Sequence, residues 1–122
     1  PELRGCDLPI LAKAAEAYKL WQAQLPHLPR LSRYTLGARI DSLFLDTIAL
    51  LLQAGYSGRE EKAAVVARAC LTLDTLKYFL QIAWEVRALD SNAYARIATP
   101  LAEVGRMLGG WKKQIQTTPP LP

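Results

Sequence analysis

Apolar side chains recur along this chain at steps of three and four residues, the period of a helix with one buried face. Leu11, Ala14, Tyr18, Trp21 and Leu25 form the first such stripe, with Lys13, Glu16, Lys19 and Gln22 elsewhere on the cylinder. Asp7 stands where an N-cap belongs, and Pro9 lies near the first helical positions. Pro26, His27 and Pro29 end the segment, because each proline lacks an amide donor and biases the residue before it away from the helical region.

The spacing predicts a second helix over residues 35–54. Leu43, Phe44, Leu45, Ile48, Leu50, Leu51 and Leu52 make its second half apolar almost all the way round, so it must be covered on more than one side. Gly55 and Gly58 close it, and Ser57 with Glu60 has the form of a capping box for the third helix. That helix is expected over residues 57–89, on the order of 45 Å at about 1.5 Å per residue. Val66, Leu73 and Leu80 keep a seven-residue step with Ala69, Leu76 and Ala83 between them, the pattern of a bundle seam. Leu71, Tyr78, Phe79, Ile82, Trp84 and Val86 add apolar surface beside it.

Asp90 or Ser91 is placed to cap a fourth helix, in which Tyr94, Ile97, Leu101, Val104, Leu108, Trp111 and Ile115 make an unbroken seam. Pro100 is expected to kink it or displace its first turns. Arg96, Glu103, Arg106 and Lys113 form the opposite, mostly basic stripe. No segment has the period-two alternation of a strand and no repeat is present. The short connections then predict an all-α, antiparallel up-down-up-down four-helix bundle. It forms one domain over residues 1–116, followed by an extended Pro-rich tail at 117–122.

Apolar residues are 51% of the 122 positions and charged residues 21%, enough to build a core and to exclude whole-chain disorder. Fifteen Lys+Arg against eleven Asp+Glu leave +4, a balance that attracts phosphates weakly. Cys6 and Cys70 are too few for a disulfide scaffold, so a reducing, cytoplasmic setting is expected. No signal segment is expected. The most apolar run, residues 43–54, is interrupted by Asp46 and Gln53, short of the ~20 residues that span a bilayer, so no membrane association is expected.

Catalytic and metal chemistry are poorly supplied. His27 lies between prolines, and no HExxH, CxxC or Glu-x-x-His pair is present. Asp41 and Asp46 fall five apart and point to different sides of a helix, which suits a surface residue and a polar break better than a carboxylate dyad. Leu108-Gly109-Gly110-Trp111-Lys112-Lys113 ends a helix, whereas a phosphate-cradling loop begins one. Gly105 and Gly109 lie one turn apart and predict close approach of another backbone. No catalytic residue, metal or cofactor is expected.

Basic residues beside aromatics are the remaining chemical signal. Arg30, Arg33 and Arg39 gather around Tyr34, and Arg106, Lys112 and Lys113 lie on or near the last helix. Such groups bind phosphates while exposed aromatics stack on bases. They equally suit a solvated face, with Arg33 capping a helix end and Arg39 or Arg106 pairing with Asp41, Asp46 or Glu103.

At Pro29-Arg30, then Arg33-Tyr34-Thr35-Leu36-Gly37-Ala38-Arg39-Ile40, and at Leu101-Ala102-Glu103-Val104-Gly105-Arg106-Met107-Leu108-Gly109-Gly110-Trp111, the chain resembles a known family. It is similar to the four-helix-bundle proteins encoded in 23S ribosomal RNA intervening sequences and to the accessory variability determinant, Avd, of diversity-generating retroelements. The resemblance covers nearly the whole chain, and the Glu-Val-Gly-Arg-x-Leu-Gly-x-Trp run is fairly specific. It implies a homopentameric barrel of bundles and no enzymatic activity. In the Avd branch it implies a basic surface for RNA or other nucleic acid, here Arg30, Arg33, Arg39, Arg106, Lys112 and Lys113, and association with a reverse transcriptase. The 23S rRNA intervening-sequence branch leaves open an oligomeric scaffold that binds only protein.

Overall fold

The computed structural model describes residues 8–117; Cys6, the expected cap Asp7 and the tail beyond Thr117 lie outside the described residues. Four helices carry the core. Helix α1 is Pro9–Gln24, α2 is Ala38–Tyr56, α3 is Arg59–Glu85 and α4 is Ser91–Thr117. No strand occurs among the described residues.

Pro9 occupies the start of α1 behind an extended Leu8 that contributes no side-chain cap. The helix buries Ile10, Ala14, Ala17 and Trp21, so the inward face is turned slightly from the expected stripe and Leu11, Tyr18 and Leu25 are half-buried. A 3₁₀ turn, Leu25–His27, follows. The chain re-enters helix through one turn, Arg30–Ser32, and a π-helical turn, Arg33–Gly37. The α-helical part of the second segment therefore starts at Ala38, later than the sequence spacing predicts.

Leu43, Phe44 and Leu51 of α2 are buried and Ile48, Leu50 and Leu52 half-buried, while Leu45 stays exposed. Much of the apolar circumference is thus covered within one chain. Thr47, the one buried polar residue of the described core, donates its hydroxyl to the Leu43 carbonyl at 2.7 Å. The expected capping box does not form: Gly58 holds the cap position of α3, and the Ser57 hydroxyl turns back to the Gln53 carbonyl at 2.7 Å. Ser57 stands one residue before that cap position, out of register for the first free amides of α3.

On α3, Val66, Ala69, Leu73, Leu76, Leu80 and Ala83 are buried as the seven-residue step requires. The helix stops at Glu85 rather than at residue 89, because Arg87 adopts φ 66°. The amides of Arg87 and Ala88 then reach back to the Trp84 and Ala83 carbonyls at 3.0 and 2.8 Å, a left-handed helix ending more usual at glycine. Asp90 caps α4 by accepting the Ala93 amide at 2.7 Å. Ile97, Leu101, Val104 and Leu108 are buried on α4, with Tyr94, Trp111 and Ile115 half-buried at its ends. Pro100 is buried within an uninterrupted helix; it omits one amide bond to Arg96 without displacing the first turns. Thr117, assigned to the tail by sequence, is the last residue of α4.

The helices pack most extensively as α1 against α4 and α2 against α3. Trp21 near the end of α1 meets Asp41 in the first turn of α2. Lys13 of α1 bridges to Glu103 of α4 at 3.4 Å and to Glu16 at 3.6 Å, and Glu103, then Glu16, raise its pKa. Lys62 in the first turn of α3 sits 5.1 Å from the Trp111 ring near the end of α4.

Candidate functional site

The six basic candidates fall into two groups that the fold does not join. Arg30, Arg33 and Arg39 stand where the chain enters α2, held beside the end of α1 by the Trp21 to Asp41 bond. Arg106, Lys112 and Lys113 are exposed on the second half of α4. The Lys62 and Trp111 contact places that half beside the start of α3.

In the first group Arg30 and Arg39 are exposed, but Arg33 is committed to the fold. Its Nη2 donates to the carbonyls of Pro26 and Leu28 at 2.9 and 3.1 Å, which closes the Pro-rich turn whose amide donors are scarce. Gly37 is the counterpart of this clamp. A β-carbon there would lie 3.2 Å from Leu28 Cδ2 and from the Ser32 carbonyl, and 3.3 Å from Leu25 Cδ1, so the turn packs directly on bare backbone. Leu31 and Tyr34 project outward, 78% and 70% exposed.

In the second group Arg106 and Lys112 line a cleft of about 530 Å³ between α3 and α4, shared with Cys70, Asp74 and Lys77. Burial pushes the Cys70 thiol pKa up, the Lys112 ammonium opposes this, and Asp74 adds to it. Lys113 is exposed and lies outside the cleft lining. Among the described residues, the expected close approach of a backbone to Gly105 and Gly109 is not seen. A β-carbon on Gly105 meets only Lys77, with Nζ at 2.7 Å, and the Leu73 Cδ2 atom at 3.9 Å; one on Gly109 meets nothing within 4 Å.

The expected ion pairs of Arg39 and Arg106 are also absent among the described residues, since Glu103 pairs with Lys13 and Asp41 accepts from Trp21. Lys77 joins the cleft without having been singled out from sequence. Its signal was a cation on the side of α3 that packs toward Gly105, a pairing that helical periodicity alone does not give. No group of three potential metal ligands exists among the described residues. None of their helices is long and apolar enough to cross a membrane.

No curated protein matches the chain. A family model described as bAvd-like matches residues 13–115, a span that takes in all of α2 and α3, most of α1 and α4, and both motif regions. With a match over most of its length, the chain belongs to the bAvd-like family.

Proposed function

We propose that this chain is an Avd-type accessory protein and not an enzyme, acting in the cytoplasm as an RNA- or nucleic-acid-binding partner of a reverse transcriptase. Its bundles, with helices in antiparallel up-down-up-down order, assemble into a homopentameric barrel. The supporting observation is electrostatic. Arg30, Arg39, Arg106, Lys112 and Lys113 are exposed and, among the described residues, none is within ion-pair distance of a carboxylate. Unpaired surface cations contribute to binding by releasing counterions from phosphates, and repetition around an oligomer multiplies a modest charge per chain through avidity.

Assembly is supported by the apolar side chains that one chain leaves uncovered. Leu71 is 69% exposed and Leu45 48% exposed, on adjacent helices α3 and α2. A closed ring covers such surfaces without leaving an open edge. A second reading, an oligomeric scaffold that binds only protein, is favoured by Leu31 and Tyr34, which form an apolar projection beside Arg30 of the kind that anchors protein partners.

The deciding measurement is binding of single-stranded and structured RNA at several salt concentrations, with the wild type and with Lys112→Glu/Lys113→Glu. The accessory reading expects affinity that falls steeply with salt and a charge-reversed oligomer that binds weakly at unchanged size. Absence of binding at low salt, or equal binding by the charge-reversed oligomer, turns the conclusion to the protein scaffold. Light scattering that finds a monomer at micromolar concentration overturns the barrel.

A further inference from the structure

We infer that the groove between α3 and α4 is a binding site for one nucleic-acid strand, with phosphates on Lys77, Arg106 and Lys112 and a base stacked on Tyr78. This rests on the nucleic-acid reading above and specifies where and in what form the ligand binds. The cleft holding Arg106 and Lys112 and a second one, of about 440 Å³, share Asp74, Lys77 and Ala102 as lining. They are two halves of one groove. Tyr78, Gln81 and Tyr94 line the second half.

Three features suit this groove to a strand. Lys77 lines the groove from the α3 wall and Arg106 and Lys112 from the α4 wall, with Asp74 as the one carboxylate in the lining. An anion between the walls is approached by cations from both sides, and the net charge of the lining is positive. Next, α4 has no side chains at Gly105 and Gly109. The Lys77 ammonium lies over the bare Gly105 backbone and the space over Gly109 is open, so a ligand meets a cation at the first glycine and the helix surface itself at the second. Third, the aromatic half is built for stacking. Tyr78 is 60% exposed, and beside it Tyr94 is held by a parallel stack on Trp84 at 5.4 Å and 17°. The Trp84 indole is fixed in turn by its hydrogen bond to the Ser91 hydroxyl at 3.1 Å.

Physical size and charge select the occupant. Adjacent helices pack about 8–10 Å apart, and a furrow between them takes an extended backbone but not a duplex. An apolar helix from a second copy would desolvate three cations against one carboxylate, a costly arrangement. A phosphodiester strand neutralises the cations and offers bases to the tyrosine, the combination by which single strands are held with little sequence preference.

Cys70 in the lining gives a direct reporter. In the full-length assembly carrying Cys6→Ser, iodoacetamide labels Cys70, and saturating oligouridylate is expected to slow that labelling several-fold while an RNA duplex does not. Tyr78→Ala is expected to lower affinity for oligouridylate about tenfold, with Tyr78→Phe retaining it. Lys77→Ala/Lys112→Ala is expected to reduce the slope of log K against log salt by about 1.4, at about 0.7 per phosphate. Equal protection by duplex, binding that leaves Cys70 labelling unaffected, or wild-type affinity and salt slope in Tyr78→Ala and Lys77→Ala/Lys112→Ala overturns the groove and leaves the accessory reading standing. If the wild type binds no nucleic acid at low salt, the accessory reading fails with it.

Discussion

The indole Nε1 of Trp21 donates a 3.2 Å hydrogen bond to Oδ1 of Asp41, tying the last part of α1 to the first turn of α2. Trp21 is fully buried and stacks on Phe44 at 6.1 Å, while Tyr18 meets the same Phe44 ring edge-on at 5.6 Å. Asp41 is therefore the polar anchor of an aromatic cluster and not the surface residue that its position in the sequence suggests. Removing the acceptor in Asp41→Ala leaves a buried indole N–H unpaired and is expected to cost about 1–3 kcal/mol. Asp41→Asn keeps an acceptor and should lose less. Urea denaturation of the two variants beside the wild type checks the order.

The Tyr18 phenol has its pKa raised, first by burial and then by the Asp41 carboxylate. The unfolded chain thus releases this proton at a lower pH than the folded one. Stability from this group is complete below the ordinary tyrosine pKa, about 10, and declines as pH rises through the folded value. Between pH 9 and 11 the wild type should lose stability more steeply than Tyr18→Phe, as read by denaturation midpoints at each pH. Parallel curves would show that Tyr18 contributes nothing to the alkaline limb.

Arg33 and Arg30 should separate cleanly on mutation. Arg33→Ala strips the Pro26 and Leu28 carbonyls of their donor and is expected to destabilise the fold by roughly 1–3 kcal/mol. Arg30→Ala, at an exposed position, should stay within about 0.5 kcal/mol of wild type while weakening RNA binding. Thermal unfolding and a salt-dependent binding titration on the same two proteins test both halves.

Glycines in helices of this chain divide by what surrounds them. Gly109→Ala adds a methyl group into open space and removes a flexible residue from a helix interior, so a gain of about 0.5–1 kcal/mol is expected. Gly105→Leu should avoid the overpacking that the sequence alone suggests, because the nearest obstacle is the mobile end of Lys77. Gly37→Ala presses on Leu28, Leu25 and the Ser32 carbonyl together and should destabilise. Melting temperatures of the three variants give the comparison, and a Gly37→Ala protein as stable as wild type would show that the turn yields freely.

Helical spacing already contained the bundle. The seams of α3 and α4 were readable residue by residue, from Val66 to Ala83 and from Ile97 to Leu108, because a buried stripe at a fixed period leaves its mark in any alphabet of apolar and polar residues. The Glu103 to Trp111 motif likewise pointed to the family before any coordinates. Local hydrogen-bond competition was less visible: Ser57 closes α2 instead of capping α3, and Arg87 ends α3 without a glycine. Such choices depend on which carbonyl lies nearest in space. The two groups of basic candidates were visible in the sequence, but only the folded chain turned Arg33 inward to the Pro26 and Leu28 carbonyls. It also set Lys77 of α3 over Gly105 of α4. Arg33 closes a local turn whose shape the spacing does not encode, whereas Lys77 and Gly105 stand on different helices, and only the packing of one helix on another decides which charges share a surface.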